Sequence, residues 1–320
     1  MIKPDRRTFI VSATAAAAAF GLNGTLEFLP SARAEELVKQ GFYKMKVGDA
    51  EIITVHDGHF NKPIDESFVG NASVAEIKDA LKAAGTPGDA VTIPFTITFA
   101  RIGGKTIMFD SGTGAQLAPT AGKLAANMKA AGISKDEIDT VIVTHFHPDH
   151  IFGLMEKGTN AQVFPNAEII VPETEYAFWT DAGKTGSLNK GLQGLAGRIQ
   201  ATFPSWKNIT QFSGDKEVTP GIRAITAHGH TPGHTVFQIA SGDKEALVLA
   251  DTANVPALFV RNPGWQVAFD MSPDKAEAMR RKLFDRVAAD KSTITGYHFG
   301  MPGAGRIEKD GKGYVYVPTA

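Results

Sequence analysis

The sequence predicts an α/β fold in which two β-sheets lie back to back with helices over their outer faces. Three observations lead there. Strand-type runs occur in both halves of the chain, helical stretches follow them, and no internal repeat or Pro/Ser-rich linker divides the region. A sheet buries its apolar face only against another layer, so strands in both halves with helices between them fit two stacked sheets covered from outside.

The first 34 residues stand apart from that fold. Asp5-Arg6-Arg7-Thr8-Phe9-Ile10 is a twin-arginine start, residues 11–22 are Ala-rich and apolar, and Ala32-Arg33-Ala34 is a small-x-small cleavage site. The apolar stretch is shorter than the roughly 20 residues a membrane span needs. The expectation is an export signal over residues 1–34, read by the twin-arginine export machinery and sending the protein to the periplasm or outside the cell. One domain over residues 35–320 follows.

Within that domain, residues 43–47 and 50–55 read as strands joined by Gly48-Asp49, and residues 92–102 and 105–109 as a second pair joined by Gly103-Gly104. Two-residue turns of this composition tolerate the positive φ that tight hairpins require. Residues 73–84 and 115–131 have the apolar spacing of helices. Later, residues 140–143, 168–171, 222–226, 246–249 and 293–295 are short buried-strand runs, and residues 172–180, 190–201 and 273–290 fit helices.

Composition narrows the function. With 43% apolar and 21% charged residues the chain is ordinary globular protein. A net charge of −1, from 33 basic and 34 acidic side chains spread without long runs, leaves no footprint for nucleic acid or anionic lipid. A small neutral or weakly charged ligand is the partner expected. There is no cysteine, which removes disulfides, thiolate ligands and cysteine nucleophiles together. Any metal must be held by histidine and carboxylate.

All nine histidines fall into four short clusters: His56 and His59; His145, His147 and His150; His228, His230 and His234; and His298. Thr144-His145-Phe146-His147-Pro148-Asp149-His150 directly follows the strand run 140–143. Alternate side chains of an extended stretch face the same way, so His145 and His147 can bind one ion. Asp149 and His150, carried round the next turn, can reach a second. His230, Asp251 and His298 also each follow an apolar run, and strand ends are rigid platforms from which loops converge on one point.

His145-Phe146-His147-Pro148-Asp149-His150 resembles the HxHxDH signature of the metallo-β-lactamase superfamily, and Gly229-His230-Thr231-Pro232-Gly233-His234 resembles its GHTPGH motif. Phe109-Asp110-Ser111-Gly112, Leu249-Ala250-Asp251-Thr252 and Gly296-Tyr297-His298 are similar to three further family motifs in the same order, so the resemblance covers residues 51–307. It implies an αββα sandwich of two mixed sheets flanked by helices, with the site at the edge between the sheets. His145, His147 and His230 would then hold one metal, Asp149, His150 and His298 a second, and Asp251 would bridge them. Asp110 and His234 would stand behind these ligands and orient them. Two divalent ions are implied, Zn²⁺ by default, with Mn²⁺, Fe²⁺ or Co²⁺ equally compatible with nitrogen and oxygen ligands. Such a pair can bridge a hydroxide that acts as nucleophile, with Asp149 passing the proton to the leaving group.

The absence of cysteine and the presence of Asp251 separate this chain from both β-lactamase subclasses of the superfamily. Residues 164–168, 175–179 and 298–303 look similar to the lactonase and methyl-parathion-hydrolase-like branch. That branch implies a small lactone, aryl ester or organophosphate-type ester as substrate, with a homodimer left open. Phe60, Phe146, Phe152 and Trp179 are the expected pocket walls. Two alternatives remain: a glyoxalase-II-like thioesterase, and an iron-dependent persulfide dioxygenase, which would use one metal instead of two.

Overall fold

The computed structural model describes residues 31–319, with side chains from residue 35. The export signal expected over residues 1–34 therefore lies outside the described residues except for 31–34, whose backbone belongs to helix α1 (Ser31–Gln40).

Two hairpins form where the sequence places them. β1 (Phe42–Val47) pairs antiparallel with β2 (Ala50–Pro63) across Gly48-Asp49, and β3 (Ala90–Ile102) with β4 (Lys105–Phe109) across Gly103-Gly104. Gly103 and Gly104 have φ of 57° and 78°, the left-handed region that only glycine enters freely. β2 continues past residue 55 to Pro63, because its pairing with β3 resumes after a bulge between His56 and Gly58. Between the hairpins lies α2 (Val74–Ala83), started by a capping box in which Ser73 and Glu76 bond each other's backbone amides.

The helix expected over residues 115–131 is shorter: α3 covers Leu124–Ala131. Pro119 and Gly122 stand in the lost portion, Gly122 with φ 93°, and neither residue favours a continuous helix there. The first half then adds β5 (Thr140–Ile142), the short α4 (Pro148–Ile151), β6 (Glu168–Pro172), α5 (Glu173–Trp179), α6 (Ala182–Thr185), α7 (Lys190–Thr202) and β7 (Ile209–Phe212). The second half comprises β8 (Glu217–Thr219), β9 (Ile222–Thr226), β10 (Thr235–Ser241), β11 (Lys244–Val248), α8 (Pro256–Phe259), α9 (Pro273–Asp290), β12 (Thr293–Thr295), β13 (Ala304–Asp310) and β14 (Gly313–Pro318).

Each half makes one mixed sheet of seven strands, in the orders β1-β2-β3-β4-β5-β6-β7 and β14-β13-β12-β11-β10-β9-β8. The first is parallel from β4 to β7, and the second is parallel only between β11 and β12. Alternation along the strands divides their apolar side chains between two cores. Ile107, Phe109, Ile142 and Ile170 meet Phe237, Ile239 and Val248 of the other sheet. Met108, Val141, Ile169 and Val171 point the other way, onto Leu124, Trp179, Leu195 and Ile199 of α3, α5 and α7. The far face of the second sheet, including Leu247 and Ile294, packs on Leu258, Phe284 and Val287 of α8 and α9. The layers therefore run helix, sheet, sheet, helix. Strands covered on both faces read as unbroken apolar runs, which is why the short central ones are visible in sequence. No helix among the described residues is long and apolar enough to cross a membrane.

Candidate metal centre

Beyond β5 the chain bends at Thr144, and His147 is extended, with φ and ψ of −69° and 156°. His145 and His147 accordingly face one side and Phe146 the opposite one. Pro148, suited to the first position of a helix, opens α4, which carries Asp149 and His150 round the corner. His230 follows β9, Asp251 follows β11 and His298 follows β12, so both sheets deliver side chains to one edge.

All seven expected ligands converge there. His147 Nδ1 lies 2.9 Å from His230 Nε2. Asp251 Oδ1 lies 3.1 Å from His150 Nε2, while its Oδ2 lies 3.1 Å from His298 Nε2 and 3.2 Å from His230 Nε2. Asp149 Oδ2 lies 3.5 Å from His150 Nε2 and 3.4 Å from His298 Nε2. Three triplets keep their ligand atoms within 4.8 Å of one another: His145, His147 and His230; His145, His150 and Asp251; and Asp149, His150 and His298. Asp251 thus stands between the two outer groups.

The rings are aimed from behind. His145 Nδ1 is 3.0 Å from Thr144 Oγ1, His150 Nδ1 2.8 Å from Asp110, His230 Nδ1 2.8 Å from Asp270, and His298 Nδ1 2.8 Å from the Pro94 carbonyl. These outer contacts fix four rings with Nε2 turned to the centre, as metal-ligating histidines are usually fixed. His145 Nε2, His150 Nε2 and Asp251 Oδ1 are buried without a hydrogen-bond partner. Bare polar atoms buried together are costly, and a divalent cation satisfies them at once. The nitrogen and oxygen donors suit divalent ions of the zinc and manganese kind.

Electrostatics agree with that fit. Burial and the neighbouring rings hold His145 and His147 well below the ordinary imidazole range, so their lone pairs are free for a cation. For His150, burial is the largest single influence and lowers the pKa, but Asp251, Asp149 and Asp110 together lift it well above 6.5. Burial likewise opposes ionisation of Asp251, yet His298, His150 and His230 keep it well below the usual carboxylate range. The carboxylates draw positive charge to this spot.

Asp110, at the end of β4 with φ 62°, accepts from Thr144 N at 2.7 Å and Thr144 Oγ1 at 2.8 Å as well as contacting His150. His234 accepts the Asp251 N–H at 3.1 Å through Nε2 and meets the Ala227 carbonyl through Nδ1. Burial first, then His230, pushes its pKa down to about 3, so it stays neutral. His56, His59 and His228 lie outside the cluster.

Sequence reasoning missed three buried groups behind the ligands. Glu175 accepts three hydrogen bonds from the two histidine loops and a fourth from the Trp179 indole on its own helix, and Asp270 contacts His230. Arg280, fully buried on α9, donates to Asp270 at 2.9 Å and to the carbonyls of Thr252, Pro263 and Trp265. Its signal was available: Arg280 occupies the same helix face as Ala276, Leu283, Phe284 and Val287, where a charged residue needs a buried partner.

The cluster opens into a cavity of about 700 Å³ with His147, Asp149, Asp251 and His298 among its lining residues. Ile93, Phe95, Leu188, Leu192, Phe269 and Met271 form apolar walls, Phe60 and Leu117 are exposed at the rim, and no lysine or arginine lines it. Of the four aromatic residues expected as walls, only Phe60 lines this cavity. Phe146 points away from the ligands on either side of it and packs edge-on against Phe203 at 5.2 Å. Trp179 is buried behind His147, ring centroids 6.3 Å apart, and donates to Glu175. Phe152 packs against the outer core under the Arg198 guanidinium.

An αββα sandwich with this His/Asp cluster where its sheets meet defines a class of metal-binding α/β proteins. The chain belongs to the metallo-beta-lactamase superfamily, whose profile matches residues 96–298. It is similar to AidC, a dizinc quorum-quenching lactonase solved with a homoserine product. Identity is 28%, with a TM-score of 0.78 over 88% of this chain and 98% of AidC. It is also similar to the hydrolase AbOPH of the beta lactamase superfamily, at 26% identity and a TM-score of 0.81 over 88% of this chain and 98% of that one. The N-acyl homoserine lactonase of Bacillus thuringiensis is 26% identical over 167 residues, 52% of this chain; the match spans 58% of that lactonase.

Proposed function

We propose that this protein is a dinuclear hydrolase that opens lactones or cleaves uncharged aryl or organophosphate-type esters. The observation that carries this reading is a seven-residue His/Asp cluster at the floor of an apolar cavity without a cationic side chain. Likeness to a dizinc lactonase and to AbOPH supports it.

His145, His147 and His230 would hold one ion, Asp149, His150 and His298 the other, and Asp251 both, with zinc the default. Bound there, two divalent ions supply an acidified water as nucleophile and polarise the oxygen of the scissile bond. Asp149, whose side chain is 15% exposed at the cavity floor, would take the proton given up by the attacking water and pass it to the leaving oxygen. Ile93, Phe95, Leu188 and Leu192 take up the apolar part of the substrate and keep bulk water out. A carboxylate-bearing thioester would find no lysine or arginine on these walls, which places the thioesterase second. The triplet Asp149, His150 and His298 favours two ions over the single iron of a persulfide dioxygenase. Export of the folded enzyme through residues 1–34 belongs to the same proposal.

The test is metal analysis combined with a panel of lactones, aryl esters, thioesters and organophosphate triesters on metal-reconstituted enzyme. Two ions per chain and a lactone or ester preference lost in His298→Ala are expected. Thioester hydrolysis above all others, or one iron with oxygen uptake, overturns the reading.

A further inference from the structure

Glu175 on α5 is fully buried and does not line the cavity. Its Oε1 accepts the Phe146 N–H at 2.9 Å and the Trp179 indole N–H at 2.7 Å. Its Oε2 accepts the Thr231 hydroxyl at 2.8 Å and the Gly233 N–H at 2.7 Å. Both oxygens are saturated, two donors each. Phe146 stands between His145 and His147, and Thr231 follows His230. One carboxylate therefore ties together the two stretches that carry the three rings of the first triplet. The approach is close: a Cβ on Gly233 would lie 2.3 Å from Glu175 N and 2.7 Å from its Cα.

Charge gives the arrangement its meaning. The triplet His145, His147 and His230 consists of imidazoles alone, whereas the triplet around His150 and His298 contains Asp149, and Asp251 stands between the two. Asp270, the carboxylate behind His230, is neutralised by Arg280 at 2.9 Å. Burial raises the Glu175 pKa against the pull of its four hydrogen bonds, and all four donors are uncharged, so its ionised form has no cationic partner within reach of those bonds. Keeping an ionised carboxylate so deep without a cationic partner is costly unless a cation nearby repays it.

We propose that Glu175 is a positioning residue for the His145/His147/His230 half of the centre, locking the Phe146 and Thr231–Gly233 stretches together and placing a carboxylate behind a triplet made of imidazoles alone. It acts through the rings and touches neither substrate nor ion. The inference rests on the dinuclear reading, which the wild-type protein tests by itself.

The experiment titrates chelator-stripped protein with Zn²⁺ against a chromophoric competitor, with ion counts from native mass spectrometry. Wild type taking two ions supports the dinuclear reading, and one ends it. Glu175→Gln keeps the shape, removes the charge and turns one acceptor into a donor. One binding step should weaken about 10- to 100-fold, as for lost outer-sphere partners of metal ligands, while the other changes by less than about threefold. Thermal denaturation of the stripped protein checks folding. If Glu175→Gln does not fold, Thr231→Val removes one donor and keeps the charge, and should weaken the same step less. Unchanged binding, or equal weakening of every step, overturns the assignment. If wild type takes a single ion, the variant-to-wild-type ratio at that step decides Glu175 in the same way.

Discussion

Asp270 holds the outer nitrogen of His230 at 2.8 Å with one oxygen and takes the buried Arg280 at 2.9 Å with the other. Arg280 also donates to the Thr252 carbonyl, one residue beyond Asp251, so α9 braces two ligand loops at once. Arg280→Met removes the charge but much less of the volume, leaving Asp270 buried and unpaired. It should lower stability by about 3 to 5 kcal/mol in urea denaturation. The double change Arg280→Met with Asp270→Leu should recover most of that loss while metal affinity stays low.

Asp149 is the more exposed of the two acidic cluster residues that line the cavity, its side chain 15% exposed against 4% for Asp251. Asp149→Asn should cut kcat by roughly 10²- to 10⁴-fold while the His145/His147/His230 triplet still binds an ion. Full turnover in a variant that holds both ions would remove the proton-transfer role.

The walls predict a chain-length series. Each methylene of an acyl tail buried against Leu188, Leu192 and Phe95 contributes about 0.8 kcal/mol, so kcat/KM should rise about fourfold per carbon until the cavity is full. Leu192→Asn should flatten the slope. A flat series in wild type would show that tails do not enter this cavity.

His56 lies on β2 away from the cluster, buried among neighbours that include Lys123 and His59. Burial first, then those charges, lowers its pKa from 6.5 to about 4. Its unfolded form takes up a proton below pH 6.5 and its folded form only near pH 4. The stabilisation is thus complete above 6.5 and lost as pH falls through that window. Metal-free protein should therefore lose stability on acidification from pH 6.5 to 4. The His56→Gln variant should show a slope smaller by up to about 1.4 kcal/mol per pH unit. Equal slopes in urea titrations at pH 6.5, 5.5 and 4.5 would exclude His56 as the group responsible.

The ligand set is legible in sequence because each member stands in a polar break directly after an apolar run, a strictly local pattern. The supporting groups are not, because their partners are remote: Glu175 and Thr231 are 56 residues apart, and His230 and Asp270 are 40. Nothing near Glu175 distinguishes it from the exposed Glu173 of the same helix. The pocket walls went astray for a different reason. Alternation that puts His145 and His147 on one side must put Phe146 on the other, toward Phe203 and away from the cavity. Strand β13 is hidden in the sequence because Arg306, Glu308 and Lys309 interrupt its apolar residues near the margin of the second sheet.

The cluster draws on both sheets: His145, His147, Asp149 and His150 come from the first half, and His230, Asp251 and His298 from the second. Neither half carries a full set of donors, so a cation held among them would work as a rivet through the seam. Loading would then certify that the halves have docked, and a chelator would attack the joint before it attacked either layer.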